Sequence, residues 1–79
     1  MISNLENSET VLSEVIGDNI KKLRLASRLS RQDLAHQMGI SYQQLYKYEQ
    51  GQNRISAVNI VYLKYLLNAD YHEFFEGLF

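Results

Sequence analysis

Gly39 and Gly51 bracket the segment Ile-Ser-Tyr-Gln-Gln-Leu-Tyr-Lys-Tyr-Glu-Gln, and nothing else in the chain constrains its fold as tightly. A glycine just past a helix can take the left-handed conformation at little steric cost. Gly39 therefore ends one helix and lets Ile40 turn inward, Ser41 is placed to cap the next, and Gly51 closes that helix after Gln50. Proline is absent from the chain, apolar residues recur at spacings of three and four, and no strand alternation is visible. An all-α fold is expected.

The remaining helices follow from the same signals. A first helix begins near Ser8 or Ser13 and runs to about Ser27, with Val15, Ile16, Ile20, Leu23 and Ala26 or Ser27 along one side. Residues 1–7 are polar and unpatterned and read as a flexible N-terminal tail, leaving residues 8–79 as the domain. Gly17 should weaken the helix by up to about 1 kcal/mol relative to alanine; either a neighbouring helix packs closely there or the regular helix starts nearby. Ser30 with Asp33 resembles a capping box and starts a second helix that runs to Met38. The third helix covers Tyr42 to about Gln50. Ser56 can cap a fourth through about Leu67, in which only Asn59, Lys64 and Asn68 interrupt an apolar stretch from Ala57. That is more apolar surface than one buried face needs. Ile60, Leu63 and Leu67 are assigned to the core, and some of Val58, Val61, Tyr62, Tyr65 and Leu66 to a partner. Asp70 and Glu73 form another capping-box-like start, giving a short fifth helix with Tyr71, Phe74, Phe75 and Leu78 packed inward.

At 79 residues without cysteine, the chain has room for one small core, worth about 3 to 5 kcal/mol, and no disulfide to add to it. No signal sequence or apolar run of about 18 residues is present, so a cytoplasmic protein without a membrane partner is expected. The net charge of -1 conceals an uneven distribution. Residues 1–20 carry Glu6, Glu9, Glu14 and Asp18 with no Lys or Arg, and residues 55–79 carry Lys64 against Asp70, Glu73 and Glu76. Between them, seven cations (Lys21, Lys22, Arg24, Arg28, Arg31, Lys47 and Arg54) face two anions (Asp33 and Glu49), a net of +5. The basic block coincides with the glycine-bracketed unit, as a nucleic-acid footprint would, although charge runs also occur on plain solvated helices.

Two helices joined by a tight turn can set the second in the DNA major groove while the first braces it across the backbone. Leu34, Ala35, Met38, Ile40, Leu45 and Tyr48 can form one small shared core, in which the small Ala35 permits close approach. Tyr42, Gln43, Gln44, Tyr46 and Lys47 are then left outward. Glutamine can donate and accept at once, matching adenine N6 and N7, and lysine can donate to guanine O6 and N7. Gln43 and Lys47 share a face at i, i+4. A polar face that is merely solvated is the plain alternative, and the bracketing by Ser41 and Glu49-Gln50-Gly51 argues against it.

Across Ile16 to Phe75 the chain resembles the phage repressor and Cro helix-turn-helix family, also called the XRE family. The matching positions are Ile16-Gly17, Ile20, Leu23-Arg24, Leu29-Ser30, Asp33-Leu34-Ala35, Gly39-Ile40-Ser41 and Tyr48-Glu49-Gln50-Gly51, with Leu67-Asn68-Ala69-Asp70-Tyr71 and Phe74-Phe75 similar to the closing helix. Ile55 departs from the pattern, since many members have proline there. The resemblance implies a compact five-helix repressor-like domain that binds double-stranded DNA. It implies base contacts from Tyr42, Gln43 and Lys47. It also implies backbone or flanking contacts from Ser30, Arg31, Ser41, Gln44, Tyr46, Asn53 and Arg54, and a structural ion pair between Arg24 and Glu49. Loss of Arg31 would on this reading weaken all sequences alike.

No nucleophile, base and orienter can be assembled from these residues, so no enzymatic activity and no cofactor are expected. His36 and His72 lack a ligand set for a metal. The six tyrosines could stack on single strands, but four of them fit packing positions or the fourth-helix surface. The expected function is a transcriptional regulator, repression being the common role in the family. It would act as a homodimer through helices 4 and 5 on a pseudo-palindromic operator, because one helix reads only a few base pairs. Two rivals share the fold: an antitoxin that represses its own promoter while holding a toxin, and a protein-interaction module that has lost DNA reading.

Overall fold

The computed structural model describes residues 5–78, with side chains from residue 8, and contains five helices: α1 (Leu5–Ala26), α2 (Arg31–Met38), α3 (Tyr42–Gln50), α4 (Ala57–Leu66) and α5 (Tyr71–Phe74). Three of the four later helices start on a serine whose hydroxyl accepts from the backbone N–H three residues on: Ser30 from Asp33, Ser41 from Gln44 and Ser56 from Asn59, all at 3.0 to 3.1 Å. Each bond satisfies one of the N–H groups that a helix start leaves open. Asp70 stands at the same position of α5 but makes no side-chain cap bond, so the capping-box-like start expected there is not formed. Gly39 and Gly51 end α2 and α3 with φ of 70° and 73°, and each donates its N–H back into the helix it closes.

α1 starts earlier than Ser8 or Ser13. Residues 5–7, expected in the tail, are helical; residues 1–4 lie outside the described residues. At about 1.5 Å per residue its 22 residues span about 33 Å, close to the 37 Å long axis of the molecule. It packs against α3 and α5, α2 packs against α3 and α4, and α4 against α5. Every helix contributes to one core of Ile20, Leu34, Ala35, Leu45, Ile60, Leu63, Leu67, Ala69 and Phe74. Ile16, Leu23, Leu29, Met38, Ile40, Ile55 and Phe75 pack around its edge. Ala26 and Ser27, expected on the buried stripe, are exposed because the helix ends there in a turn. Tyr71 is also exposed rather than inward, with the Lys64 ammonium 5.4 Å from its ring centre. The short α5 is anchored instead by Phe74 and by Asn19, whose amide donates to the carbonyls of Phe74 at 3.0 Å and Glu76 at 2.9 Å. No helix of the described residues is long and apolar enough to cross a membrane.

Gly17 is explained by close approach. A Cβ at this position would lie 2.2 Å from the Tyr48 carbonyl oxygen and 2.7 Å from that of Glu49. The end of α3 therefore rests its backbone directly on α1. Gly17→Ala would gain up to about 1 kcal/mol in helix propensity, but the overlap with fixed backbone costs about 1 to 3 kcal/mol or more. Thermal unfolding should show Gly17→Ala destabilised; a raised melting temperature would mean that α1 and α3 are not in this contact.

Candidate nucleic-acid interface

The position of α3 is set from behind by charge. Arg24 Nε lies 2.7 Å from Glu49 Oε2 and its Nη2 lies 3.2 Å from Oε1, while Nη1 donates to the Leu29 carbonyl at 2.9 Å. The two side chains are 6% and 0% exposed. Arg31, the first residue of α2, adds its Nε at 3.0 Å from Glu49 Oε1. One buried carboxylate thus holds guanidiniums from α1 and α2 against the last turn of α3. Among the described residues no buried side-chain polar atom lacks a partner, which is the condition under which a buried ion pair is tolerable.

The outer face of α3 presents Tyr42, Gln43, Tyr46 and Lys47 to solvent, while Gln44 is half-buried. Leu45 is fully buried and Tyr48 half-buried, fixing which side turns inward. Arg31 also reaches this outer face: Nη1 donates to the Tyr42 hydroxyl at 2.8 Å, and the guanidinium carbon lies 5.4 and 5.1 Å from the ring centres of Tyr42 and Tyr46. Burial tends to lower its pKa, but the hydrogen bonds to Glu49 and Tyr42 and the charge of Glu49 outweigh that and hold it above the ordinary arginine range.

Ser30 and Ser41 lie exposed at the helix starts, their oxygens used as caps and their hydroxyl protons left to donate. Asn53 and Arg54 lie exposed in the loop after α3. Arg54 pairs with Glu9 of α1, an ion pair between two exposed groups far apart in the chain, for which no local pattern exists. Beside it, a cleft of about 440 Å³ is lined by Leu12, Ile16, Tyr48 and Ile55 with Asn53 and Arg54 at its polar side. Asp70, His72 and Glu73 bring ligand atoms within 4.8 Å of one another, but they are sequence neighbours at an accessible helix start, an arrangement common without any ion.

The fold and this face together define a helix-turn-helix unit. A family profile described as helix-turn-helix matches residues 20–61. The chain is 45% identical over 67 residues to an HTH-type transcriptional regulator of Rickettsia prowazekii, a match covering 85% of this chain and 52% of the relative. It is 36% identical over 63 residues to a transcriptional regulator in the ATPase CF(0) region of Rhodospirillum rubrum, covering 80% and 58%. Among solved structures, the restriction-modification controller protein C.AhdI from Aeromonas hydrophila superposes with a TM-score of 0.72 at 32% identity, over 78% of this chain and 94% of that one. The chain belongs to the XRE-type helix-turn-helix family of transcriptional regulators. It spans about half the length of the Rickettsia relatives it matches.

Removing one member of the buried pair strands a charge at a cost of about 3 to 5 kcal/mol, comparable to all the stability one small core supplies. Arg24→Ala and Glu49→Gln should therefore lose cooperative thermal unfolding near room temperature. An unchanged melting temperature with weakened DNA binding would move Arg24 from structure to ligand contact.

Proposed function

We propose that this protein is a sequence-specific double-stranded DNA-binding transcriptional regulator that inserts α3 into the major groove and represses a promoter by occupying it. The observation that carries the reading is an amide, phenol and ammonium face held rigid from behind by a fully paired buried carboxylate. Tyr42, Gln43 and Lys47 meet base edges, and Gln44 and Tyr46 meet the backbone or flanking bases. Ser30, Ser41, Asn53 and Arg54 hold the phosphates. Arg54 must exchange its Glu9 partner for a phosphate, a trade between two exposed carboxylate-like oxygens that costs little.

The active form is a homodimer, and α4 and α5 supply its interface. Val58, Val61, Tyr62, Tyr65 and Leu66 are all exposed, Tyr65 at 73% and Val58 at 61%. Such a contiguous apolar strip on so small a protein marks an association surface. A two-fold pair would present its α3 helices to half-sites about one helical turn, or roughly 34 Å, apart. The reading places the protein in the cytoplasm with its DNA. That the matched relatives are regulators, and that C.AhdI is a controller protein, supports DNA regulation over a toxin-holding or purely protein-binding role.

Selection of sites from randomised duplex DNA should yield a pseudo-palindrome, and no enriched sequence would end the proposal. Gln43→Ala should relax one base position in each half-site, with a loss of about 1 to 3 kcal/mol for a bidentate contact. Sedimentation should show a dimer that Tyr65→Glu or Val58→Glu dissociates; a monomer both free and on the selected DNA would remove the α4 interface.

A further inference from the structure

We infer that Arg31 is a specificity-determining positioning residue: by donating to the Tyr42 hydroxyl it fixes Tyr42 as a hydrogen-bond donor toward DNA, so that Tyr42 selects against cytosine on the edge it faces. The inference rests on the DNA reading proposed above.

Tyr42, Tyr46 and Glu49 fall at i, i+4 and i+7 of α3 and so form one stripe along the helix. Arg31 lies across this stripe. Its Nε is held by a carboxylate whose side chain is 0% exposed, so the guanidinium is oriented from the buried side. The Tyr42 and Tyr46 rings flank it at 5.4 and 5.1 Å, and Nη1 meets the Tyr42 hydroxyl at 2.8 Å. Arginine carries donors only. The phenol oxygen therefore accepts from Arg31, and its own proton points away from the guanidinium, toward the exposed side of α3. A free tyrosine hydroxyl can turn to donate or accept, but this one is left to donate.

The major groove makes that choice consequential. Guanine offers N7 and O6, adenine N7 and thymine O4 as acceptors, whereas cytosine offers the N4 donor. A donor facing a donor leaves both unpaired. Arg31 itself touches no base in this scheme; it acts through Tyr42. This separates it from a phosphate clamp, whose loss weakens every sequence alike.

The test selects sites from randomised duplex DNA with the full chain as wild type, Tyr42→Phe, Arg31→Gln, Arg31→Lys and the Tyr42→Phe/Arg31→Gln double variant. Affinities for the selected site and its single-base variants are then measured at several salt concentrations, with thermal unfolding confirming that each variant is folded. Wild type should disfavour cytosine by about tenfold at one position of each half-site, the scale of one base-edge hydrogen bond. Tyr42→Phe and Arg31→Gln should each abolish the discrimination at that same position and leave the others intact, and the double variant should lose no more. Arg31→Lys keeps a charge against Glu49 but replaces the fork with a single nitrogen. It should relax the same position with the salt slope unchanged, and it carries the comparison should Arg31→Gln melt below the assay temperature.

Three results overturn the inference while DNA reading stands. Arg31 variants could weaken all sequences equally, with a salt slope lower by about one in Arg31→Gln; they could relax a different position from Tyr42→Phe; or Tyr42→Phe could select the wild-type site unchanged. A wild type that enriches no sequence overturns the DNA reading as well, and is distinguishable from all three.

Discussion

Glu49 is a carboxylate with no exposed side-chain surface, and guanidiniums from two other helices converge on it. Taking a carboxylate and an arginine out of water costs several kcal/mol per ion, and their attraction offsets this only where geometry and remaining hydrogen bonds are well satisfied. Here they are: Arg24 forms a fork on Glu49 and passes a further N–H to the Leu29 carbonyl. The net gain over a packed apolar trio is small by that reasoning, whereas the geometric specification is large. An apolar contact can slide, but a forked pair at 2.7 and 3.2 Å fixes the rotation of α3 about its axis. Which residues of α3 face outward follows from that rotation.

Much of this was legible in the sequence because it is written in local chemistry. The serines at 30, 41 and 56 and the glycines at 39 and 51 act within a few residues of themselves, so their spacing defines α2, α3 and α4 directly. The apolar excess of α4 was equally plain. The misreadings occur where tertiary contact decides. Asp70 has the right residue type for a cap but forms no such bond, and Tyr71 lies outward because Lys64 and the brevity of α5 give it an accessible seat. Gly17 read as a weakness, with its cause open; the cause is a carbonyl from a helix some thirty residues later. The contacts of Arg31 with Tyr42 and of Arg54 with Glu9 join residues 11 and 45 apart, and no periodicity reports them. Asn19, which ties α1 to the carbonyls after α5, gave no signal beyond being polar on a helix.

The charge distribution gains a physical sense from the structure. Both acidic ends of the sequence belong to elements other than α2 and α3, while the cations of the central block differ in how far they are engaged inside the protein. Arg24 is consumed inside the protein, and Arg31 is shared between the inside and the outer face. Lys47 remains exposed on α3, and Arg54 is held by an exposed carboxylate. The net of +5 already cancels Arg24 against Glu49; of the cations that remain, Lys22 and Arg54 lie on Asp18 and Glu9, exposed carboxylates from outside the central block.

The seat of α3 on α1 is made by backbone. With no side chain at Gly17, the carbonyls of Tyr48 and Glu49 come down onto the surface of α1, and main-chain atoms are the same whatever residues the helix carries. The alignment of α3 therefore depends on a hole in α1, a carboxylate at its last turn and one buried leucine, none of which is on the outward face. The outward residues are free to change without the helix having to be refitted. A domain so small can then diversify what it recognises while its stability, concentrated in the hidden contacts, is left untouched.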